Sequence, residues 1–171
     1  RKSRGRTFTN RHFNEFSGRI ILELKDRKPD AISYYCNRLI KEFDNFLNEH
    51  NTAITAVPSH DPKEFDCGIR DVAKRIAKYF HITDATDCLL RTKEIPKQAN
   101  GGPRGKYVHL KSVEVKSPIY IKDKSVILLD DVTTTGNSLL ACKEILETAG
   151  AGKVICISLA KTFNIPLLYF I

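Results

Sequence analysis

The 171-residue sequence has no methionine and begins at Arg1, so a natural start further upstream is expected. It has no apolar run near the roughly 20 residues that cross a bilayer. The longest, Val126–Leu129 and Val154–Leu159, are strand-sized, and no membrane contact is expected. The basic N-terminus is not followed by an apolar stretch, so no secretory signal is expected either. Five cysteines (Cys36, Cys67, Cys88, Cys142, Cys156) form no CxxC pair, so within these residues neither a zinc ribbon nor a disulfide framework is suggested. They are expected to be reduced, buried thiols of a cytoplasmic protein, with Cys142 and Cys156 in apolar periodic contexts. No internal repeat and no low-complexity block stands out.

What is present fits one soluble domain: 42% hydrophobic and 28% charged residues, enough to bury a core. The net charge is +8, and residues 1–11 hold +5 of it with no acid, leaving +3 for the other 160 residues. Residues 1–12 are expected to be a basic, flexible arm, either simply solvated or available to nucleic acid or another polyanion.

Phe13, Phe16, Ile20 and Leu24 recur at helical spacing. Pro29-Asp30 offers a second helix start, with Asp30 a candidate N-cap. The stripe Ile32, Tyr35, Cys36, Leu39, Phe43, Phe46, Leu47 then predicts an amphipathic helix. Residues 13–52 form this helical segment, a candidate hood, and 53–171 the core. In the core, Ala53–Val57 reads as a strand cut by Pro58, and Ile69 to Phe80 as a helix. Cys88–Leu90, Val113–Val115 and Pro118–Ile121 read as short strands, and Lys93–Lys106 as a long basic loop. Ser125–Leu129 is apolar on both faces, as a strand inside a parallel sheet requires. Asn137–Ala149 reads as a helix closed by Gly150, and Val154–Leu159 as another buried strand. The alternation predicts an α/β fold with a mainly parallel sheet flanked by helices.

The chemistry concentrates in Val126-Ile127-Leu128-Leu129-Asp130-Asp131-Val132-Thr133-Thr134-Thr135-Gly136-Asn137-Ser138-Leu139. A buried strand ends in two acids, a threonine-rich turn follows, and a helix begins. Ligands of open α/β sheets bind beyond the carboxyl ends of strands. A helix start offers free N–H groups and the positive end of the dipole to an anion. Gly136 lets the backbone approach closely, and the hydroxyls of Thr133, Thr134, Thr135 and Ser138 add donors. Neighbouring side chains on a strand point apart, so Asp130 and Asp131 are expected to act as ionised acceptors for a diol and not to share a proton. The segment reads as a sugar-phosphate cradle. An ordinary capped strand–turn–helix needs fewer of these residues, and no Gly-Lys-Ser/Thr of a Walker A loop occurs.

This segment resembles the phosphoribosyl pyrophosphate (PRPP) motif of type I phosphoribosyltransferases. Its Asp-Asp-Val-x-Thr-Thr-Gly form is most similar to the ComF (competence protein F)/amidophosphoribosyltransferase-like branch. Ile21-Leu22-Glu23-Leu24-Lys25 resembles that family's leucine-lysine segment, and Ala56-Val57-Pro58 its entry to the pyrophosphate loop. Gly68-Ile69 resembles its glycine-phenylalanine helix start, Arg91 and Gln98 its arginine and glutamine before the mobile loop, and Leu159-Ala160-Lys161-Thr162 its last strand. Cys67, Arg70 and Asp71 stand where the family usually has arginine, asparagine and glutamine, and Tyr107 falls near a usual asparagine. These departures surround the second half of the site. They leave PRPP binding better supported than conventional catalysis.

The resemblance implies a type I phosphoribosyltransferase (Rossmann-like) fold with an N-terminal helical hood. It implies that Asp130 and Asp131, the candidate catalytic pair, bind the ribose hydroxyls, and that Thr133, Thr134, Thr135, Gly136, Asn137 and Ser138 hold the 5′-phosphate. Ser59 and His60 would meet the pyrophosphate through backbone N–H groups, although Val57–His60 alone is equally a strand-ending turn and His60 is read as a loop residue, not a base. Lys97, Arg104 and Lys106 would ride on a mobile loop that closes over the site, or on a solvated one. Mg2+ would be carried with PRPP, with no protein metal site, and a homodimer is the default. The implied activity is phosphoribosyl transfer to a nitrogenous acceptor with release of pyrophosphate. The alternatives are a non-catalytic PRPP or nucleotide sensor, and a DNA-associated module of competence or defence.

Overall fold

The computed structural model describes residues 15–44, 47, 51–95 and 105–161. The expected basic arm, Phe46, Gln98, the loop residues Lys97 and Arg104, and Thr162 lie outside them. Helices α1 (Glu15–Lys25) and α2 (Pro29–Phe43) form a hairpin. Strand β1 (Thr52–Ala56), helix α3 (Gly68–Phe80) and strand β2 (Thr83–Asp84) follow. Next come β3 (Leu89–Arg91), a short α4 (Lys106–Leu110), β4 (Val113–Val115) and a 3-10 turn at Pro118–Tyr120. Strand β5 (Ser125–Thr133), helix α5 (Asn137–Thr148) and strand β6 (Lys153–Lys161) complete the set.

Four strands form a parallel sheet in the order β2-β1-β5-β6. β3 and β4 pair separately as an antiparallel hairpin. The period of two along β5 sorts its side chains into two cores. Ile127 and Leu129 pack with Leu24, Ile32, Leu39, Phe43, Val72 and Ile76 of α1, α2 and α3. Val126 and Leu128 pack on the opposite face with Leu139, Cys142 and Leu146 of α5 and with Leu89 and Val113. The strand is buried on both faces because both are covered by other elements.

The hairpin is seated by backbone contact. A Cβ on Gly68 would lie 1.9 Å from the Leu24 carbonyl oxygen, so only glycine permits the approach. Arg27, at φ 57 in the turn, donates through Nε to Asp71 Oδ2 at 2.8 Å and through a terminal nitrogen to Oδ1 at 3.3 Å.

Several expectations change. Lys28, not Asp30, is the N-cap of α2, because Pro29 occupies the first helical position and places Asp30 inside the first turn. Pro118–Tyr120 is a 3-10 turn and not a strand. Lys106 opens α4 and pairs with Glu144 of α5, so it belongs to a packed helix and not to a free loop. β5 runs four residues past Leu129, carrying both acids in extended backbone. Cys36, Cys88 and Cys142 are buried as expected, Cys67 is half-buried, and Cys156 is exposed. It lies on the α5 side of β6, the last strand of the described sheet, with its Sγ 4.0 Å from the Leu139 carbonyl oxygen.

Candidate functional site

The strand order reverses between β1 and β5: from β1 the chain winds outward to β2, and from β5 to β6. This is the position where an open parallel sheet leaves a crevice for a ligand. Ala56 pairs with Leu129, and the Val57 N–H donates to the Leu129 carbonyl at 2.8 Å. The loop after β1, with Pro58, Ser59 and His60, therefore leaves the sheet beside Asp130 and Asp131.

The two acids meet different surroundings. Asp130 lies on the Val126/Leu128 face, is 7% exposed, and accepts from Ser138 Oγ at 3.0 Å. Burial, and then the neighbouring Asp131 carboxylate, push the Asp130 carboxyl up to about 7. Asp131 lies on the hairpin face. Its Oδ1 accepts from the Val132 N–H at 2.6 Å, and its Oδ2 lies 3.2 Å from Lys25 Nζ of α1.

Beyond the acids, Gly136 adopts φ 78, the left-handed region that favours glycine, and caps α5 without a side-chain hydrogen bond. Thr135 Oγ1 accepts from the Asn137 N–H at 3.5 Å. Thr133 Oγ1 is buried and has no hydrogen-bond partner among the described residues. It would lie 3.8 Å from a Cβ on Gly136, so it faces the inside of the bend. A buried hydroxyl is normally paired. Left open at an uncapped helix start, this one has the character of a ligand donor. Thr134, Asn137 and Ser138 complete the bend, and all three are half-buried.

The loop after β1 is built differently. Arg91, 7% exposed, donates through Nε to the Ser59 carbonyl at 2.8 Å and through a terminal nitrogen to the Pro58 carbonyl at 3.2 Å. Its other terminal nitrogen donates to Ser112 Oγ at 2.7 Å. In a trans peptide the N–H points opposite to the C=O. Arg91 therefore turns the Ser59 and His60 N–H groups away from itself. Ser59 Oγ donates to Glu64 Oε2 at 2.8 Å and lies 3.2 Å from His60 Nδ1. The His60 carbonyl accepts from the Ile95 N–H at 3.2 Å. The clamping role of Arg91 was not legible in sequence, because its partners lie 21 to 33 positions away.

The departures at Arg70 and Asp71 have structural partners. Arg70, almost fully buried, donates to Asp87 Oδ1 at 2.5 Å and stacks on the Phe65 ring, 3.8 Å from its centroid. Asp71 is taken by Arg27. Behind the β1 loop, a cavity of about 620 Å³ is bounded by Ser59, Phe65, Arg70, Asp87, Arg91 and Tyr120. The acid pair does not line it. Among the described residues no three His, Cys, Asp or Glu side chains converge as a metal cage. No described helix is long and apolar enough to cross a membrane.

The chain matches the phosphoribosyl transferase domain model over residues 70–163. No curated protein gives a significant match. Among solved structures it is similar to the APRTase of Giardia lamblia complexed with 9-deazaadenine, at TM-score 0.55 and 18% identity, covering 84% of this chain and 71% of that one. It is also similar to the adenine phosphoribosyl transferase of Trypanosoma brucei in complex with AMP, pyrophosphate and ribose-5-phosphate, at TM-score 0.54 and 16% identity, covering 80% and 55%. A match to the phosphoribosylpyrophosphate synthetase of Mycobacterium smegmatis, at TM-score 0.46 and 17% identity, covers 80% of this chain and spans only 35% of that protein. At these identities the likeness is one of fold: a parallel four-stranded sheet flanked by helices, as in type I phosphoribosyltransferases.

Proposed function

Because the chain belongs to the phosphoribosyl transferase domain family, whose model spans more than half of it, we propose that it binds PRPP and transfers the phosphoribosyl group to a nitrogenous acceptor. The observation that carries this reading is the unpartnered Thr133 hydroxyl inside the uncapped bend at Gly136, directly after the acid pair. The bend takes the 5′-phosphate and the acids take the ribose hydroxyls. The N–H edge of Ser59 and His60 takes the pyrophosphate. The acceptor nitrogen forms a bond to the anomeric carbon as the bond to pyrophosphate breaks. The oxocarbenium-like transition state is favoured by positioning and by stabilisation of the leaving charge. Mg2+ travels on the oxygens of PRPP and neutralises that charge. The Asp-Asp-Val-x-Thr-Thr-Gly form supports the ComF-type branch. A homodimer rests on family habit.

Calorimetry with Mg-PRPP on the wild type and on Asp130→Asn/Asp131→Asn tests the site. Expected is a low-micromolar to submillimolar affinity, roughly −8 to −5 kcal/mol, abolished in the double variant. Equal binding by the two proteins refutes the ribose role. A second reading, PRPP binding without turnover, is favoured by the commitment of Arg70 to Asp87 and of Asp71 to Arg27. Pyrophosphate release across a panel of nitrogenous bases separates the two readings.

A further inference from the structure

The N-terminal hairpin delivers a lysine to the acid pair, and its placement is over-determined. Leu24 is fully buried, and its carbonyl is pressed against Gly68. Three residues later Arg27 is fastened to Asp71 and lies 3.9 Å from Asp66. Lys25, between these two anchors, brings its Nζ to 3.2 Å from Asp131 Oδ2. The two side chains are 50% and 26% exposed. An ion pair this open adds little to folding, so stability does not explain it.

We propose that Lys25 is a positioning residue of the PRPP site: it fixes Asp131 as the ionised, hydroxyl-accepting member of the acid pair, which makes the hairpin part of the binding site as well as a cover for the core. The proposal rests on the PRPP reading above and extends it to a residue 106 positions upstream in sequence. Geometry supports it from both sides. Asp131 Oδ1 is tied to the next backbone N–H, so Lys25 governs the other oxygen. The remaining groups that interact electrostatically with Asp131 include the buried Tyr35 hydroxyl of α2, the Cys67 thiol ahead of α3, and Asp130. None of these supplies a cation. Two adjacent carboxyls in one site favour a single full charge. The buried Asp130 holds its proton to higher pH, and Lys25 is the cation held 3.2 Å from Asp131. The pair is thereby divided into an exposed acceptor beside the hairpin and a buried partner under Ser138.

The test compares wild type, Lys25→Met and Lys25→Arg in three measurements: thermal unfolding, Mg-PRPP calorimetry, and carboxyl-carbon NMR titration of Asp131 in the ligand-free protein, assigned with Asp131→Asn. Expected for Lys25→Met are an unchanged melting temperature, PRPP affinity reduced about tenfold, and an Asp131 midpoint shifted to higher pH. Lys25→Arg restores most of both. Unchanged affinity together with an unmoved Asp131 midpoint overturns the proposal. A wild type that does not bind PRPP refutes the proposed function instead. The titration then still decides the role of Lys25: an unmoved midpoint overturns it, and a shifted one sustains the positioning of Asp131.

Discussion

Two loops leave adjacent strands of the same sheet, and the chain treats them in opposite ways. The bend after β5 keeps one hydroxyl open: Thr133 Oγ1 has no partner among the described residues, and Gly136 at the N-cap of α5 offers no side chain to cap it. The loop after β1 is closed by the protein itself, with its carbonyls held by Arg91 and its Ser59 hydroxyl spent on Glu64. The first loop carries its chemistry in its own residues. The second has its shape imposed by residues far away in sequence. The proposed anion site would draw a free hydroxyl from the first loop and a rigid N–H edge from the second.

Variants can sharpen or break this contrast. The largest effect is expected at Arg91. Arg91→Ala leaves the carbonyls of Pro58 and Ser59 and the Ser112 hydroxyl without their donor, and should cost about 3–5 kcal/mol in denaturant unfolding. A loss under about 1 kcal/mol would mean that the β1 loop holds its own shape.

Next in size is Asp130. Its proton is held more tightly folded than unfolded, since burial raises its pKa from 3.8 to about 7. Its ionisation therefore lowers stability progressively as pH rises through that interval. Asp130→Asn should be more stable than wild type above pH 7, by about 1–4 kcal/mol, and should show no advantage near pH 4. Unfolding midpoints across pH read this directly. Parallel wild-type and variant curves would show that Asp130 is not strained in the free protein.

Thr133→Val keeps the branched shape and removes the unpartnered hydroxyl. Stability should hold or rise by up to about 1 kcal/mol, while PRPP affinity falls in calorimetry. A destabilised variant would show that the hydroxyl has a partner and that the bend is not open. The smallest effect is expected at Ser59, where Ser59→Ala removes one exposed hydrogen bond to Glu64. Its cost should stay below about 1 kcal/mol, because Arg91 and not the hydroxyl sets the loop.

The same contrast explains what could be read in advance. β5, its acids, the bend and α5 were legible because strand period, glycine and helix start are local features. The raised Asp130 carboxyl was not legible, since it comes from burial, which requires α5 to be folded over it. Lys106 looked like a loop cation among lysines and arginines, yet Glu144 of α5 captures it. Pro118–Ile121 had the composition of a strand, but β4 pairs only with β3 and the segment closes into a turn. Cys156 alternates as a buried strand residue should, yet it is exposed on the last strand of the described sheet, although it faces α5. Arg70 and Asp71 looked like losses from a family pattern, and in three dimensions each has an opposite charge.

Sequence alone determined the parallel α/β architecture and the place of the glycine bend after β5, because apolar periodicity and glycine conformation act within a few residues. Only the tertiary structure decided that Arg91 shapes the neighbouring loop, that Asp130 is buried with its carboxyl raised, and that Lys25 stands beside Asp131. These depend on burial and on distances between segments remote along the chain, and such quantities exist only once the layers have packed.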